Sequence, residues 1–138
     1  LPGLMWRVSK DWRGVRTDAD DYARFLRQLL SGALRMGAAL GTNPVCTNPQ
    51  TCSTALGTPV PASESWHYSI GHWVEDDPVV GDGAYSSAGA FGFYPWVDAS
   101  KRYYGIVARE DAQASAAGVA SVDCGRIIRK AWMTGVAQ

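Results

Sequence analysis

A pair of serines, Ser86 and Ser87, lies in a run of small residues that passes into aromatic ones, residues 85–98. Serine hydroxyls can attack or orient a substrate, and glycine lets the main chain approach a ligand closely. Gly89 and Gly92 therefore indicate either a bulge or a close approach by a ligand or by neighbouring main chain. Taken alone, the run is more typical of a glycine-rich hairpin in an ordinary sheet.

The serines could also belong to a self-contained catalytic triad with His67 or His72 and an acid such as Asp82. A triad is defined by geometry, so the sequence alone leaves this alternative open. His72 falls on the aromatic face of a predicted strand, where a hydrogen-bonded core histidine is the commoner case, and His67 fits a solvated position. No Gly-x-Ser-x-Gly nucleophile elbow is present.

Aromatic residues around the same run offer a second class of function, a surface that binds a sugar or a peptide. At strand spacing, aromatic residues more often belong to the packing of a sheet. A binding module is nevertheless the alternative to an enzyme, and it predicts saturable ligand binding without acylation. The residues concerned are Trp66, Trp73, Tyr94, Trp96, Tyr103 and Tyr104.

Length and composition predict one globular domain over residues 1–138. Thirteen basic residues balance thirteen acidic ones, so no net charge favours nucleic acid or an anionic membrane. No apolar run approaches the roughly 20 residues that cross a bilayer, and the first residues lack a signal-peptide pattern. Because the first residue is not methionine, we expect a mature product or a fragment.

The cysteines bear on the compartment. Cys46 and Cys52 lie close together in a loop of threonine, asparagine and proline, where they either close a small ring or stay free thiols. A disulfide would indicate an oxidising compartment, so we expect a secreted or periplasmic protein. Cys124 fits a small buried residue. With two histidines and no Cys-x-x-Cys pair, no metal site is expected.

Apolar periodicity predicts a helix near each end of the chain. The first helix begins at Thr17, which can cap it, with Asp20 at its third position and an apolar stripe after that. The last helix is predicted at about 119–133 from an apolar stripe that includes Cys124, Ile127 and Ile128. A long loop is predicted between them, at residues 41–65.

Three strands are predicted between the loop and the last helix. Residues 66–74 alternate as one strand, a second strand contains Ser87, and a third covers residues 103–109. Turns between them at strand spacing are typical of an antiparallel meander. The fold class is therefore α+β, with an antiparallel sheet packed by the two helices.

Four pieces of the chain resemble the C-terminal part of the penicillin-recognising serine hydrolases, which include class C β-lactamases, D-alanyl-D-alanine carboxypeptidases and family VIII carboxylesterases. Residues 17–26 resemble the helix after that family's helical subdomain, and residues 68–74 resemble its Tyr-Gly-Leu-Gly strand. Residues 87–92 stand where the family has Lys-Thr-Gly or His-x-Gly. Residues 96–98, with 104–107, resemble its closing hairpin.

The resemblance implies a β-lactamase-like fold and a role for each residue of Ser87–Ala90, which would form one wall of the active site. The Ser87 strand would line the active site, and the Ala90 N–H would belong to the oxyanion hole, where one donor contributes roughly 3 kcal/mol. Ser87 would stand in place of the lysine or histidine of the motif, which favours an ester or another substrate without a carboxylate anchor. No organic cofactor is implied. The substrate-binding residues would be Ser86, Ala88, Gly89 and Phe91.

The resemblance is incomplete. No serine is followed by lysine three residues later, so the family's Ser-x-x-Lys nucleophile is absent, as is its Tyr-x-Asn or Ser-x-Asn motif. We therefore expect the nucleophile to lie on a preceding segment and this chain alone to be inactive. We also expect an exposed strand edge that recruits either that segment or a second copy, by strand pairing or exchange.

Overall fold

A computed structural model describes residues 17–112 and 114–138. Their strands form one antiparallel sheet in the order β1-β2-β3-β4-β5-β6. The α+β class is confirmed, but the sheet has six strands where the sequence predicts three. In chain order the elements are α1 (Ala19–Leu30), α2 (Met36–Ala39), β1 (Val45–Cys46), β2 (His67–Ser69), β3 (His72–Glu75), β4 (Ala84–Ser86), β5 (Tyr94–Val97), β6 (Tyr104–Val107) and α3 (Ala114–Thr134).

Residues 66–74 form a hairpin and not the single strand that their alternation predicts. The chain reverses at Ile70 and Gly71, so that Ser69 of β2 pairs with His72 of β3. Gly71 has a φ of 75°, which glycine adopts without the steric cost that other residues meet in a tight hairpin turn. The reversal exchanges the two faces of the strand after the turn, so the predicted assignment of faces is inverted there.

The predicted loop at residues 41–65 contains β1 and is held at several points. Cys46 and Cys52 form a disulfide, which fits an oxidising compartment. The buried Asn48 side chain donates to the carbonyl oxygens of Ala62 and Glu64 at 2.8 and 2.9 Å. This segment is therefore held against the sheet by a strand of two residues, a disulfide and a buried side-chain amide.

The two long helices cover opposite faces of the sheet. Leu29 of α1 packs with Val97 of β5, whereas Val122 of α3 packs with Tyr94 and Trp96 of the same strand. Consecutive residues of a strand point to opposite faces, so Trp96 belongs to the core under α3 and Val97 to the core under α1. Among the described residues, no helix is long and apolar enough to span a membrane.

The C-terminal helix presents a different face to the sheet from the one its sequence predicts. Ile127 and Ile128, expected in the core, are about half exposed, and Cys124 is also exposed. The buried positions are instead occupied by Val122 and the charged Arg129. The apolar stripe read from the sequence therefore lies largely on the outer side of α3.

The N-cap of the first helix lies one residue later than predicted. Asp18, and not Thr17, is the N-cap, and its Oδ1 accepts a hydrogen bond from the Asp21 N–H at 2.8 Å. Asp20 and Asp21 in the first turn suit the positive end of the helix dipole.

Candidate functional site

The hairpin of β4 and β5 carries the predicted site at its tip. Beyond β4 the pairing continues, because the Ser87 N–H donates to Pro95 O at 3.1 Å and the Gly89 N–H donates to Phe93 O at 2.9 Å. A hydrogen bond of 3.0 Å from the Gly92 N–H to Gly89 O then closes a β-turn. The serine–alanine–glycine run is thus one arm of a hairpin and the start of its turn.

Close contacts within the protein account for the two glycines of this run. A Cβ atom at Gly89 would lie 2.8 Å from Phe93 O. Gly92 has a φ of 96°, which the return of the chain requires, and a Cβ there would lie 3.1 Å from Arg109 Cδ. On the other side, a Cβ at Gly118 of α3 would lie 3.1 Å from Gly89 O. Main-chain packing on both sides therefore fixes the position of the turn.

Ala90 is the second residue of this turn. Its N–H donates to no acceptor among residues 17–112 and 114–138, and the residue is exposed. The N–H groups of Ser87 and Gly89 point toward the other arm of the hairpin. Because successive N–H groups of a strand point in opposite directions, those of Ala88 and Ala90 point away from that arm. The Ala90 N–H is therefore a donor that a ligand can reach.

The predicted wall residues border two cavities. Ser86 and Ser87 line a cavity of about 100 Å³ that is otherwise formed by α1, His72 and the sheet. Residues 88–90 line a larger cleft of about 420 Å³ against residues 58–61 and α3. Phe91 is exposed at the turn and lines neither of these two cavities.

The two serines differ in their accessibility. Ser86 is buried, and no described residue bonds to its Oγ. It pairs with Trp96 across the hairpin and thus shares the sheet face that α3 covers. Ser87 is exposed and belongs to the opposite face. Of this pair, Ser87 is the hydroxyl that a substrate can contact.

His72, a candidate base for a triad, is bound to the main chain through both ring nitrogens. Its Nε2 accepts from the Gly41 N–H at 2.9 Å, so Nδ1 carries the proton and donates to Ile70 O at 2.9 Å. Burial lowers the pKa of His72 below its ordinary value. With no nitrogen left to accept a proton from a serine, His72 is a buried, hydrogen-bonded core histidine, as predicted, but it shares a face with Ser69 and not with the predicted aromatic residues.

The other members of the hypothetical triad have different partners. His67 Nδ1 lies 2.9 Å from Asp76 Oδ1. Asp82 accepts two hydrogen bonds from Arg129, at 2.6 and 2.9 Å. Neither histidine is hydrogen-bonded to a serine among the described residues, and the structure does not assemble the triad.

A buried ionic network joins α3 to the sheet, and sequence reasoning missed it. Arg129 Nη2 lies 2.9 Å from Glu75 Oε2, and its Nη1 donates to Tyr94 OH at 3.0 Å. The Tyr94 hydroxyl donates in turn to Glu75. Burial and the negative charge of Glu75 raise the pKa of Tyr94 above its ordinary value. Burial alone lowers the pKa of Arg129, but the hydrogen bonds that it donates to Asp82 and the nearby negative charge raise it overall.

A second arginine extends the network to the loop. Arg126 makes two hydrogen bonds to the Glu64 carboxylate, at 3.2 and 2.6 Å, and its guanidinium lies over the Trp66 ring. The spacing of Arg126 and Arg129 by three residues in a helix is the signal that could have indicated a shared role. Because each charge has a partner inside the protein, the network is a structural clamp between α3, the sheet and the loop.

Within residues 17–112 and 114–138, no group of three histidine, cysteine, aspartate or glutamate side chains is arranged to hold a metal ion. No protein-family model matches the chain, and neither a curated protein nor a solved structure matches it. The candidate function therefore rests on the residues of this chain and on where the fold places them.

Proposed function

We propose that the chain is the C-terminal part of a β-lactamase-like serine hydrolase that cleaves esters or amides through an acyl-enzyme. One observation carries the proposal: the N–H of Ala90, an exposed residue directly after Gly89, has no acceptor among the described residues. The resemblance assigns the oxyanion donor to this position. The antiparallel sheet with a helix on each face provides the rigid support that such a donor needs.

In this proposal the nucleophilic serine lies on a polypeptide segment that precedes the chain. Its oxygen forms a bond to the substrate carbonyl carbon, and the carbonyl oxygen gains the negative charge that the Ala90 N–H stabilises. Collapse of the intermediate breaks the bond to the alcohol or amine, which leaves with the proton that the serine lost. Water then attacks the acyl-enzyme, and the same N–H stabilises the second oxyanion.

The contribution of this chain is a donor that does not have to move during the reaction. The hydrogen bonds of Ser87, Gly89 and Gly92 fix the turn, and Gly118 lets α3 pack against its main chain. A preorganised donor stabilises developing charge without reorganisation, and removal of one such donor typically costs a factor of 10² to 10³ in kcat.

Ser87 favours a particular class of substrate. Its hydroxyl is neutral and exposed, and it offers hydrogen bonding but no positive charge. A substrate carboxylate gains most from a charged donor, so an ester or amide without a carboxylate next to the scissile bond fits this wall better. The disulfide fits an oxidising compartment, and we place the parent enzyme outside the cytoplasm.

Labelling with a fluorophosphonate tests the proposal. We expect no adduct and no hydrolysis of p-nitrophenyl esters by the chain alone, because it lacks a Ser-x-x-Lys nucleophile. The natural polypeptide that contains the chain should be labelled on a serine outside residues 1–138. A stoichiometric adduct on Ser87 of the chain alone, or a longer polypeptide that is neither labelled nor active, would sink the proposal.

A non-catalytic binding module is the second candidate. The binding module is favoured because His72, Glu75 and Asp82 make hydrogen bonds inside the protein. None of these three residues lines the cleft beside residues 88–90, so none supplies an acid or a base there. Calorimetric titration of the natural polypeptide with esters and with their hydrolysis products separates the two candidates. Saturable binding without turnover or adduct supports the module and contradicts the hydrolase.

A further inference from the structure

The outer edge of β6 is the first part of a surface that the proposed hydrolase function does not use. β6 is the last strand of the sheet, and no described strand pairs with its outer side. The Asp98 N–H donates to Tyr103 O, so residues 103, 105 and 107 direct their main-chain groups toward β5. The N–H and C=O groups of Tyr104 and Ile106 therefore point outward.

This edge lacks three of the features that prevent pairing with another chain, namely charged residues, proline and a bulge. The strand Tyr104–Val107 contains no charged residue and no proline, although charges and proline are common protective devices on edge strands. The register with β5 is continuous over the four residues, so no bulge twists the edge away. Within residues 17–112 and 114–138, β6 is therefore an open template for one more strand.

Exposed apolar side chains of α3 lie next to this edge. Ile128 and Trp132, which are one helical turn apart, line a groove of about 350 Å³ together with Tyr103 and Gly105. Trp132 is 69% exposed, and its ring packs edge to face on the Tyr103 ring, with 6.5 Å between the ring centroids. We call Tyr104–Val107, Tyr103, Ile128 and Trp132 the β6–α3 surface.

The size of the apolar part limits what can cover it. The partly exposed side chains of Tyr103, Ile128 and Trp132 offer on the order of 300–400 Å² of apolar area, at the exposed fractions observed. A stable interface of standard size buries about 800 Å² on each partner. The helix side chains alone are therefore too small an interface, and an occupant has to cover the strand edge as well.

A second copy of the chain meets this requirement by symmetry. When two copies of β6 pair antiparallel, a two-fold axis perpendicular to the sheet relates them, so the two α3 helices lie on the same face. Each copy turns Ile128 and Trp132 toward the junction. The helices then face each other across two central strands, about 10 Å apart, which is the spacing at which helices pack.

We propose that the β6–α3 surface is a self-association interface, through which two copies of this chain form a continuous sheet with their α3 helices packed together. Strand hydrogen bonds from Tyr104 and Ile106 define the register, and the tryptophan and isoleucine side chains exclude water above them. The inference does not depend on the hydrolase proposal, because none of these residues belongs to the Ser87–Ala90 wall.

Light scattering across a concentration series, combined with amide hydrogen exchange, tests this interface on the chain of 138 residues. We expect a dimer that dissociates on dilution, with the Tyr104 and Ile106 amides protected only in the dimer. Trp132→Glu places like charges against each other and should raise the dimer dissociation constant at least tenfold. Leu56→Glu is the matched control, because Leu56 is fully exposed elsewhere and its replacement should leave the constant unchanged.

Three results would overturn the inference. The chain is monomeric at every concentration; or it dimerises while the Tyr104 and Ile106 amides exchange freely; or Trp132→Glu dimerises as tightly as the unmodified chain. Because Trp132 is largely exposed, its replacement should leave the melting temperature of the monomer close to that of Leu56→Glu, and the melting curves verify that both variants fold.

Discussion

Replacement of Arg129 by methionine tests the buried clamp that holds α3 on the sheet. The Arg129 side chain is 2% exposed and donates to Glu75, Asp82 and Tyr94, and Glu75 is fully buried. Methionine has a similar length but no donor, so the Glu75 carboxylate keeps only the Tyr94 hydroxyl and a contact of 3.5 Å with Arg126. Removal of one partner from a buried ion pair costs about 3–5 kcal/mol.

A loss of this size is a large part of the total stability of a small domain, which is about 5–15 kcal/mol. With a slope of about 1–3 kcal/mol per molar urea, the unfolding midpoint of Arg129→Met should fall by at least about 1 M. Far-ultraviolet circular dichroism and tryptophan fluorescence should report the same midpoint.

The matched control is Arg24→Met. Arg24 pairs with Asp21 at 3.1 Å on the exposed side of α1, and such surface pairs contribute less than about 1 kcal/mol. The double variant Glu75→Gln with Arg129→Met removes the buried charge together with its partner and should recover part of the loss. If Arg129→Met costs no more than Arg24→Met, the network does not hold α3 in the way its geometry indicates.

Two further predictions concern pH and redox state. Burial holds the pKa of His72 below its ordinary value, so below the unfolded pKa of about 6.5 the unfolded chain takes up a proton that the folded chain does not. The contribution of neutral His72 to the free energy of unfolding is therefore fully present above this pH and decreases as the pH falls toward the folded pKa. The melting temperature of His72→Gln should change less between about pH 7.5 and 5.5 than that of the unmodified chain. Reduction of the Cys46–Cys52 disulfide should lower the free energy of unfolding by about 2 kcal/mol, measured by urea titration with and without reductant, and a change below the error of the titration would contradict this.

Local patterns were sufficient to predict the general architecture. The apolar stripe of α1 and the turns at strand spacing indicated one helix and a set of antiparallel strands, and the structure contains both. Of the alternatives that Gly89 and Gly92 left open, the structure shows a close approach of main chain at Gly89 and of the Arg109 and Ser121 side chains at Gly92. These features depend on residues near one another in sequence, which is why the pattern alone contains them.

The errors arise where distant residues decide the structure. Ile70 and Gly71 continue an alternating pattern, but the left-handed conformation of Gly71 reverses the chain, which alternation cannot detect. Ile127 is apolar and Arg129 is charged, so the sequence places them on the wrong sides of α3. Arg129 can be buried only because Glu75 supplies a carboxylate from a strand more than fifty residues earlier.

The predicted site also combines features that the local sequence determines with features that distant residues determine. The turn that exposes the Ala90 N–H follows from the glycines around it, and its position at the tip of a hairpin was within reach of the sequence. The burial of Ser86 and the separation of residues 86–87 from 88–90 into two cavities depend on α1 and α3, and no local pattern indicated them.

Measurement of kcat with a p-nitrophenyl ester for Ala90→Pro and Ala90→Gly, in the longer polypeptide that we propose to contain this chain, tests the central claim most directly. Proline is favoured at the second position of such a turn, so Ala90→Pro keeps the fold and removes only the N–H, whereas Ala90→Gly keeps the N–H. We predict a loss in kcat of about 10² to 10³ for proline and a change of less than about threefold for glycine. Equal activity in both variants would contradict the assignment of Ala90 to the oxyanion hole.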